Sequence, residues 1–169
     1  MIALEIVPEK PEIIYTNPKY IKDLKFTVHR KGRGSPYYID FYVESLTGCG
    51  DNLTVNLKIY EYIGGNYVPL GIQGNFTLCD FLANEPYLGK MFMNQVQKQN
   101  YTCPFRPGVY EFNDLLFHLE DFPFNIPFTW SSITVRTMSE LIAHHTDTKE
   151  PIFRYKFHFI VHQKPKNKS

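Results

Sequence analysis

Reactive chemistry needs titratable or nucleophilic side chains gathered at one point, and this chain offers few candidates. Among its six histidines, His158 and His162 stand four apart, a metal-ligand spacing on a helix. They lie, however, in a run where Phe153, Tyr155, Phe157, Phe159 and Val161 alternate with polar residues, which predicts a strand. Four strand residues span about 13 Å, too far for one ion. His144 and His145 are adjacent in a polar loop with no cysteine beside them. The glycines of Lys31-Gly-Arg-Gly-Ser-Pro36 lack a Walker lysine and a following helix, so they read as a turn and not as a phosphate cradle. No Gly-x-Ser-x-Gly elbow occurs. Glu120 and Asp121 are neighbours that point to opposite faces of an extended chain, so they do not form an acid/base pair. We expect no catalytic residue, no metal site and no cofactor; the chain reads as a non-enzyme.

Three cysteines leave one unpaired. The closer pair, Cys79 and Cys103, bounds a loop of moderate size, and a disulfide there contributes about 3 kcal/mol. Cys49, in Thr-Gly-Cys-Gly-Asp, is then a free thiol, an intermolecular link or the mate of a cysteine outside the chain. As a nucleophile it lacks a placed base. The sequons Asn52-Leu-Thr54, Asn75-Phe-Thr77 and Asn100-Tyr-Thr102 favour a secreted, glycosylated, oxidised protein. The start, Met1 to Pro8, is too short and too acidic to be a signal peptide, so the expected leader is absent from this chain.

The elements that position these residues are mostly strands. With 169 residues the chain suits one domain over 1–169, and 14 Phe and 12 Tyr favour pleated, half-buried surfaces. A net charge of +1 gives no general attraction to nucleic acid, and no apolar run is long enough to span a bilayer. Residues 1–20 carry Pro8, Pro11 and Pro18 and read as a loosely held arm with at most an edge strand, Glu12 to Thr16. Residues 164–169 form a basic tail. Alternation predicts strands over Ile21–Arg30, Tyr37–Ser45, a long strand through Leu53–Ile59, and its hairpin partner Tyr67–Ile72 after Gly64-Gly65-Asn66. Together they suggest an antiparallel meander. Helical spacing then appears at Leu78, Phe81 and Leu82, breaks at Glu85-Pro86, and resumes through Leu88, Phe92 and Val96 to near Gln99. Strands return at Gly108–Phe112, Leu115–Leu119, Ile133–Met138 and Phe153–Val161. Between them, Phe122, Phe124, Ile126, Phe128 and Trp130 alternate across two prolines that forbid a central strand. The expectation is an all-β, two-layer antiparallel domain, sandwich-like, with a short helical flap.

Leu78-Cys-Asp-Phe-Leu82 and Cys103-Pro-Phe-Arg-Pro-Gly-Val-Tyr110, with Ile126-Pro-Phe-Thr-Trp130 leading into Ile133-Thr-Val-Arg136, resemble the ganglioside activator (sphingolipid activator) family over residues 20–163. The likeness extends to insect CheB-type secreted chemosensory proteins. The resemblance implies a β-cup with an apolar cavity for a lipid chain and a bridge between Cys79 and Cys103. It departs from the family's archetype in having no cysteine in the arm or after Cys103, and it brings no sugar-recognising residues.

The expected function is secreted, non-enzymatic binding or transfer of a lipid or other hydrophobic ligand, with a chemosensory, pheromone-related role as one form of it. Phe122, Phe124, Ile126, Phe128, Trp130, Leu82, Tyr87, Leu88 and Phe92 are the expected cavity rim. Partners would be the lipid itself, a transient membrane surface, and a membrane receptor, channel or hydrolase. The alternative is an extracellular interaction module or co-receptor, which a large exposed patch on one sheet would favour.

Overall fold

The computed structural model describes residues 2–86, 88–116 and 134–165. In chain order they form β1 (Ile2–Thr16), β2 (Ile21–Arg30), β3 (Tyr37–Ser45), β4 (Leu53–Ile63), β5 (Asn66–Thr77), α1 (Leu78–Asn84) and α2 (Gly89–Val96). A 3-10 turn (Gln97–Gln99), β6 (Gly108–Leu115), β7 (Thr134–His145) and β8 (Pro151–Pro165) complete the order. Two antiparallel sheets result, one ordered β1-β8-β7-β4-β5 and the other β2-β3-β6.

The strands form where the sequence alternates. In β4, Leu53, Val55, Leu57 and Ile59 are buried, while Thr54, Asn56, Lys58 and Tyr60 face outward, the period-2 signature of a half-buried strand. Phe157 and Phe159 of β8 and Val135 of β7 extend the same inner face, which meets Ile39 and Phe112 of the smaller sheet. One expectation needs correcting. The first strands are not a continuous meander, because β3 and β4 lie in different sheets. The chain crosses between layers through Gly48-Cys49-Gly50, where Cys49 makes an isolated antiparallel bridge to Phe105, with N–H to O distances of 2.9 and 2.8 Å. A Cβ on Gly50 would come within 2.8 Å of Pro104, so the crossing has no room for a larger residue.

β1 is an edge strand, as its prolines require, but it is longer than Glu12–Thr16. Its pairing with β8 shifts register between Pro8 and Pro11 and again between Ile13 and Tyr15, which accommodates the missing donors. β7 likewise runs past Met138 to His145. The strands expected over 108–112 and 115–119 are one strand as far as Leu115, with a bulge opposite Ile39–Phe41.

The helical excursion lies along the seam between β4–β5 and β6. Its break is built by Glu85, which is 2 % exposed. One carboxylate oxygen accepts the backbone N–H of both Leu88 and Gly89 at 2.7 Å, satisfying orphan donors at the start of α2. Gly89 permits the close approach of the two helices: an added Cβ would lie 2.1 Å from the Phe81 carbonyl oxygen. Further on, the Gln95 side chain accepts from the Leu116 amide (2.8 Å) and donates to the Leu116 carbonyl (2.7 Å), tying α2 to the end of β6. The Cys79–Cys103 disulfide closes the excursion at its ends.

Gly89→Ala should therefore destabilise the fold by on the order of 1–3 kcal/mol, because the clash is with backbone. Gly32→Ala, at a glycine with nothing within 4 Å of an added Cβ, should be near neutral. Thermal melts of the two variants side by side check this; equal melting temperatures would mean that the helix–helix contact is not tight.

Candidate functional site: an apolar cavity between the sheets

Large aromatic side chains project inward from both sheets without filling the space between them. Phe41 stacks on Phe112 with centroids 6.4 Å apart, and Phe92 of α2 meets both rings edge-on at 6.1 and 5.4 Å. Phe26 reaches across to Tyr155 of β8 at 5.4 Å. Such edge-to-face and offset pairs are worth about 0.5–1.5 kcal/mol each beyond their buried area, and their rigid rings resist collapse. The result is a cavity of about 250 Å³. That exceeds the roughly 150 Å³ of a dry apolar cavity able to bind benzene.

Each layer contributes a wall. Phe26, Phe41 and Phe112 come from the small sheet, Leu53, Leu141 and Tyr155 from the large one. Phe81, Leu82, Leu88, Met91 and Phe92 form the wall along the helical seam. Among the described residues the lining includes no Lys, Arg, His, Asp or Glu. Ile13 of β1 is the most exposed of the lining residues, at 39 %. Ile14 and Tyr15, exposed at 42 and 43 %, continue the apolar surface there. At one end, Tyr20 is held by a 2.7 Å hydrogen bond from its hydroxyl to Glu150, whose carboxylate also takes Lys19 at 3.1 Å. The Tyr20 hydrogen bond, then that of Lys19, holds the Glu150 carboxyl below its usual range.

The expected site residues divide cleanly. Leu82, Leu88 and Phe92 line the cavity. Tyr87, Phe122, Phe124, Ile126, Phe128 and Trp130 lie outside the described residues. The expectation did not include the aromatic residues Phe26, Phe41 and Phe112, which also form the wall. Their signal was present in the alternation of β2, β3 and β6, but alternation marks an inner face without saying whether that face is filled. Of the sequon residues, Asn52, Asn75 and Asn100 are all exposed, and the Asn52 side chain also bridges Gly48 O and Gly50 N across the turn.

Two of the described histidines make structural contacts. His145 Nδ1 accepts backbone N–H groups of Asp147 and Thr148 in the β7–β8 turn, and His158 contacts Tyr67 at 3.3 Å and Glu12 at 3.5 Å. A grouping the sequence did not suggest joins three strands: His29 lies 3.1 Å from Asp40 through Nδ1 and 3.1 Å from Asp114 through Nε2. Only Nε2 makes a hydrogen bond, to Asp114, and Lys31 takes the second Asp114 oxygen at 2.9 Å. Lys31 and Asp114 form an ion pair on the small sheet, and one ligand atom from each of His29, Asp40 and Asp114 lies within 4.8 Å of the others, close enough to hold a metal ion.

Cys49 lines the cavity. Its thiol is pushed above the ordinary range by burial, with the Ser45 hydroxyl offsetting part of that rise. It is therefore neither surface-displayed nor activated. N-Ethylmaleimide, small and uncharged, should label Cys49 slowly in the folded protein, whereas the dianionic reagent DTNB should react at a useful rate only after unfolding. Rapid DTNB reaction in the native state, followed at 412 nm, would place the thiol outside the cavity.

Comparison with known proteins gives two findings. A family model described as a protein of unknown function (DUF1091) matches residues 53–129, from β4 through the disulfide-closed excursion and beyond β6. A crystal structure of a Niemann-Pick type C2 protein from Japanese carpenter ant is similar over 82 % of this chain and 88 % of that one, at 14 % identity and a TM-score of 0.32. No curated protein matches the chain.

Proposed function

We propose that this protein binds a lipid or another long hydrophobic molecule in the cavity between its sheets and carries it through water. The observation that supports the reading is the cavity itself: about 250 Å³ of space walled by apolar side chains. Burying a chain of about sixteen carbons at about 0.8 kcal/mol per methylene gives a gross gain of about 13 kcal/mol. Loss of translational freedom and chain ordering remove a large part, which leaves micromolar affinity or better without any elaborate polar contact. Such a site needs shape and dryness and little sequence-specific chemistry, in keeping with the absence of any recognisable catalytic motif from the sequence. The protein itself is non-enzymatic in this reading.

The finer reading is of a secreted glycoprotein, modified at Asn52, Asn75 and Asn100, in the ganglioside-activator and CheB-type mould. The disulfide supports an oxidising compartment, and the resemblance of 78–82 and 103–110 to those families supports the assignment. A chemosensory, pheromone-related cargo fits the same cavity. In this reading Tyr87, Phe122, Phe124, Ile126, Phe128 and Trp130 add an aromatic rim suited to transient contact with a membrane surface, and a receptor, channel or hydrolase would collect the cargo.

Displacement of the fluorescent apolar probe N-phenyl-1-naphthylamine tests the binding. The wild type should bind it saturably with micromolar Kd, and Leu88→Trp, which puts an indole into the wall, should weaken binding at least tenfold while circular dichroism keeps the β signature. Absence of saturable binding by a folded wild type would overturn the proposal.

A further inference from the structure

Tyr155 shares the inner face of β8 with Phe153 and Phe157 and forms part of the cavity wall. Its ring packs against Phe26 of the facing sheet, with centroids 5.4 Å apart. The hydroxyl has no hydrogen-bond partner among the described residues and, unlike Thr47 Oγ1, is not sealed within protein. Burial, with no charge or hydrogen bond beside it, pushes the phenol above its ordinary range, so in neutral solution it remains an O–H donor.

The other polar side chains of the described wall are committed or enclosed. Tyr20 donates to Glu150, Tyr110 to the Arg106 carbonyl and Ser45 to the Thr47 carbonyl, while Gln95 pairs with the Leu116 backbone. The Cys49 thiol, a weak donor, lies 3.6 Å from the same Thr47 carbonyl. One hydrogen therefore stays on offer to whatever fills the space, that of Tyr155.

A purely apolar chain passing this phenol leaves it unpaired, whereas a chain with an oxygen at that level completes the bond. The carbonyl oxygen of a ketone or an ester supplies the needed lone pair and requires no further partner. An ionised carboxylate requires more than one neutral donor, and the described lining offers it no Lys, Arg or His. Resting on the carrier reading above, we infer that Tyr155 is a specificity-determining residue, whose phenol donates a hydrogen bond to the uncharged carbonyl oxygen of a long-chain ketone or ester. That bond also sets the register of an otherwise slippery chain, with the carbonyl near Phe26.

2-Undecanone and undecane share a chain length and differ at one oxygen, so each is titrated as a displacer of N-phenyl-1-naphthylamine from the wild type and from Tyr155→Phe. The substitution should leave the melting temperature unchanged, because the lost oxygen bonds nothing in the protein. It should weaken the ketone at least about fivefold and leave the affinity for undecane unchanged. Infrared spectra give a second readout. The ketone C=O stretch should lie at lower wavenumber in the wild-type complex than in hexane, and should return to the hexane value in Tyr155→Phe. A merely structural role for the ring would not move that band. An unchanged ketone-to-alkane ratio, a stretch that is the same in both proteins, or a loss of thermal stability in Tyr155→Phe overturns this inference while the cavity continues to bind. If neither compound displaces the probe from the folded wild type, the carrier reading fails and this inference with it.

Discussion

Everything in this molecule depends on two β-layers being held apart by side chains too bulky and too rigid to interlock. In an ordinary sandwich, small and large residues alternate across the interface so that the faces mesh at crystal-like density. Here Phe41, Phe92 and Phe112 form a mutually braced set, and Phe26 braces against Tyr155 from the facing sheet. Phe92 meets Phe41 and Phe112 edge-on while those two stack on each other, so each ring is held by its neighbours. The unfilled space is the consequence of this bracing.

Such a hollow survives only if its seams are closed. The helical excursion closes the β4–β5 side, and it does so through several independent constraints. Glu85 caps α2, Gly89 lets α2 sit against the Phe81 carbonyl, Gln95 clasps the backbone of Leu116, and the Cys79–Cys103 bridge fixes the ends. The β1 side is different in kind. β1 and β2 belong to different sheets, β1 carries two register shifts, and Ile13 both lines the cavity and meets solvent. The tightly built side is a wall, while the β1 side is the more irregular one.

Much of this was legible in the sequence. Alternation located the strands, Glu85-Pro86 marked the break between the helices, and the cysteine spacing gave the bridge that the structure contains. Strand pairing was less legible. Short turns suggested a meander, yet Gly48-Cys49-Gly50 carries the chain from one sheet to the other, and nothing local distinguishes a hairpin turn from a crossing between layers. The cavity walls were legible only in part. Leu82, Leu88 and Phe92 stood out because helices were the exception in an all-β chain, while Phe26, Phe41 and Phe112 looked like any inner face. Periodicity reports which side of a strand is apolar; whether the opposite layer comes close enough to fill it is decided by contacts distant in sequence.

Diffraction from crystals held under xenon tests the central claim most directly, because xenon occupies dry apolar cavities and is excluded from close-packed interiors. Electron density for xenon between the sheets, within contact of Phe41, Leu82, Phe112 and Leu141, is the predicted result. No bound xenon, with these side chains meeting in a filled interior, would contradict the account.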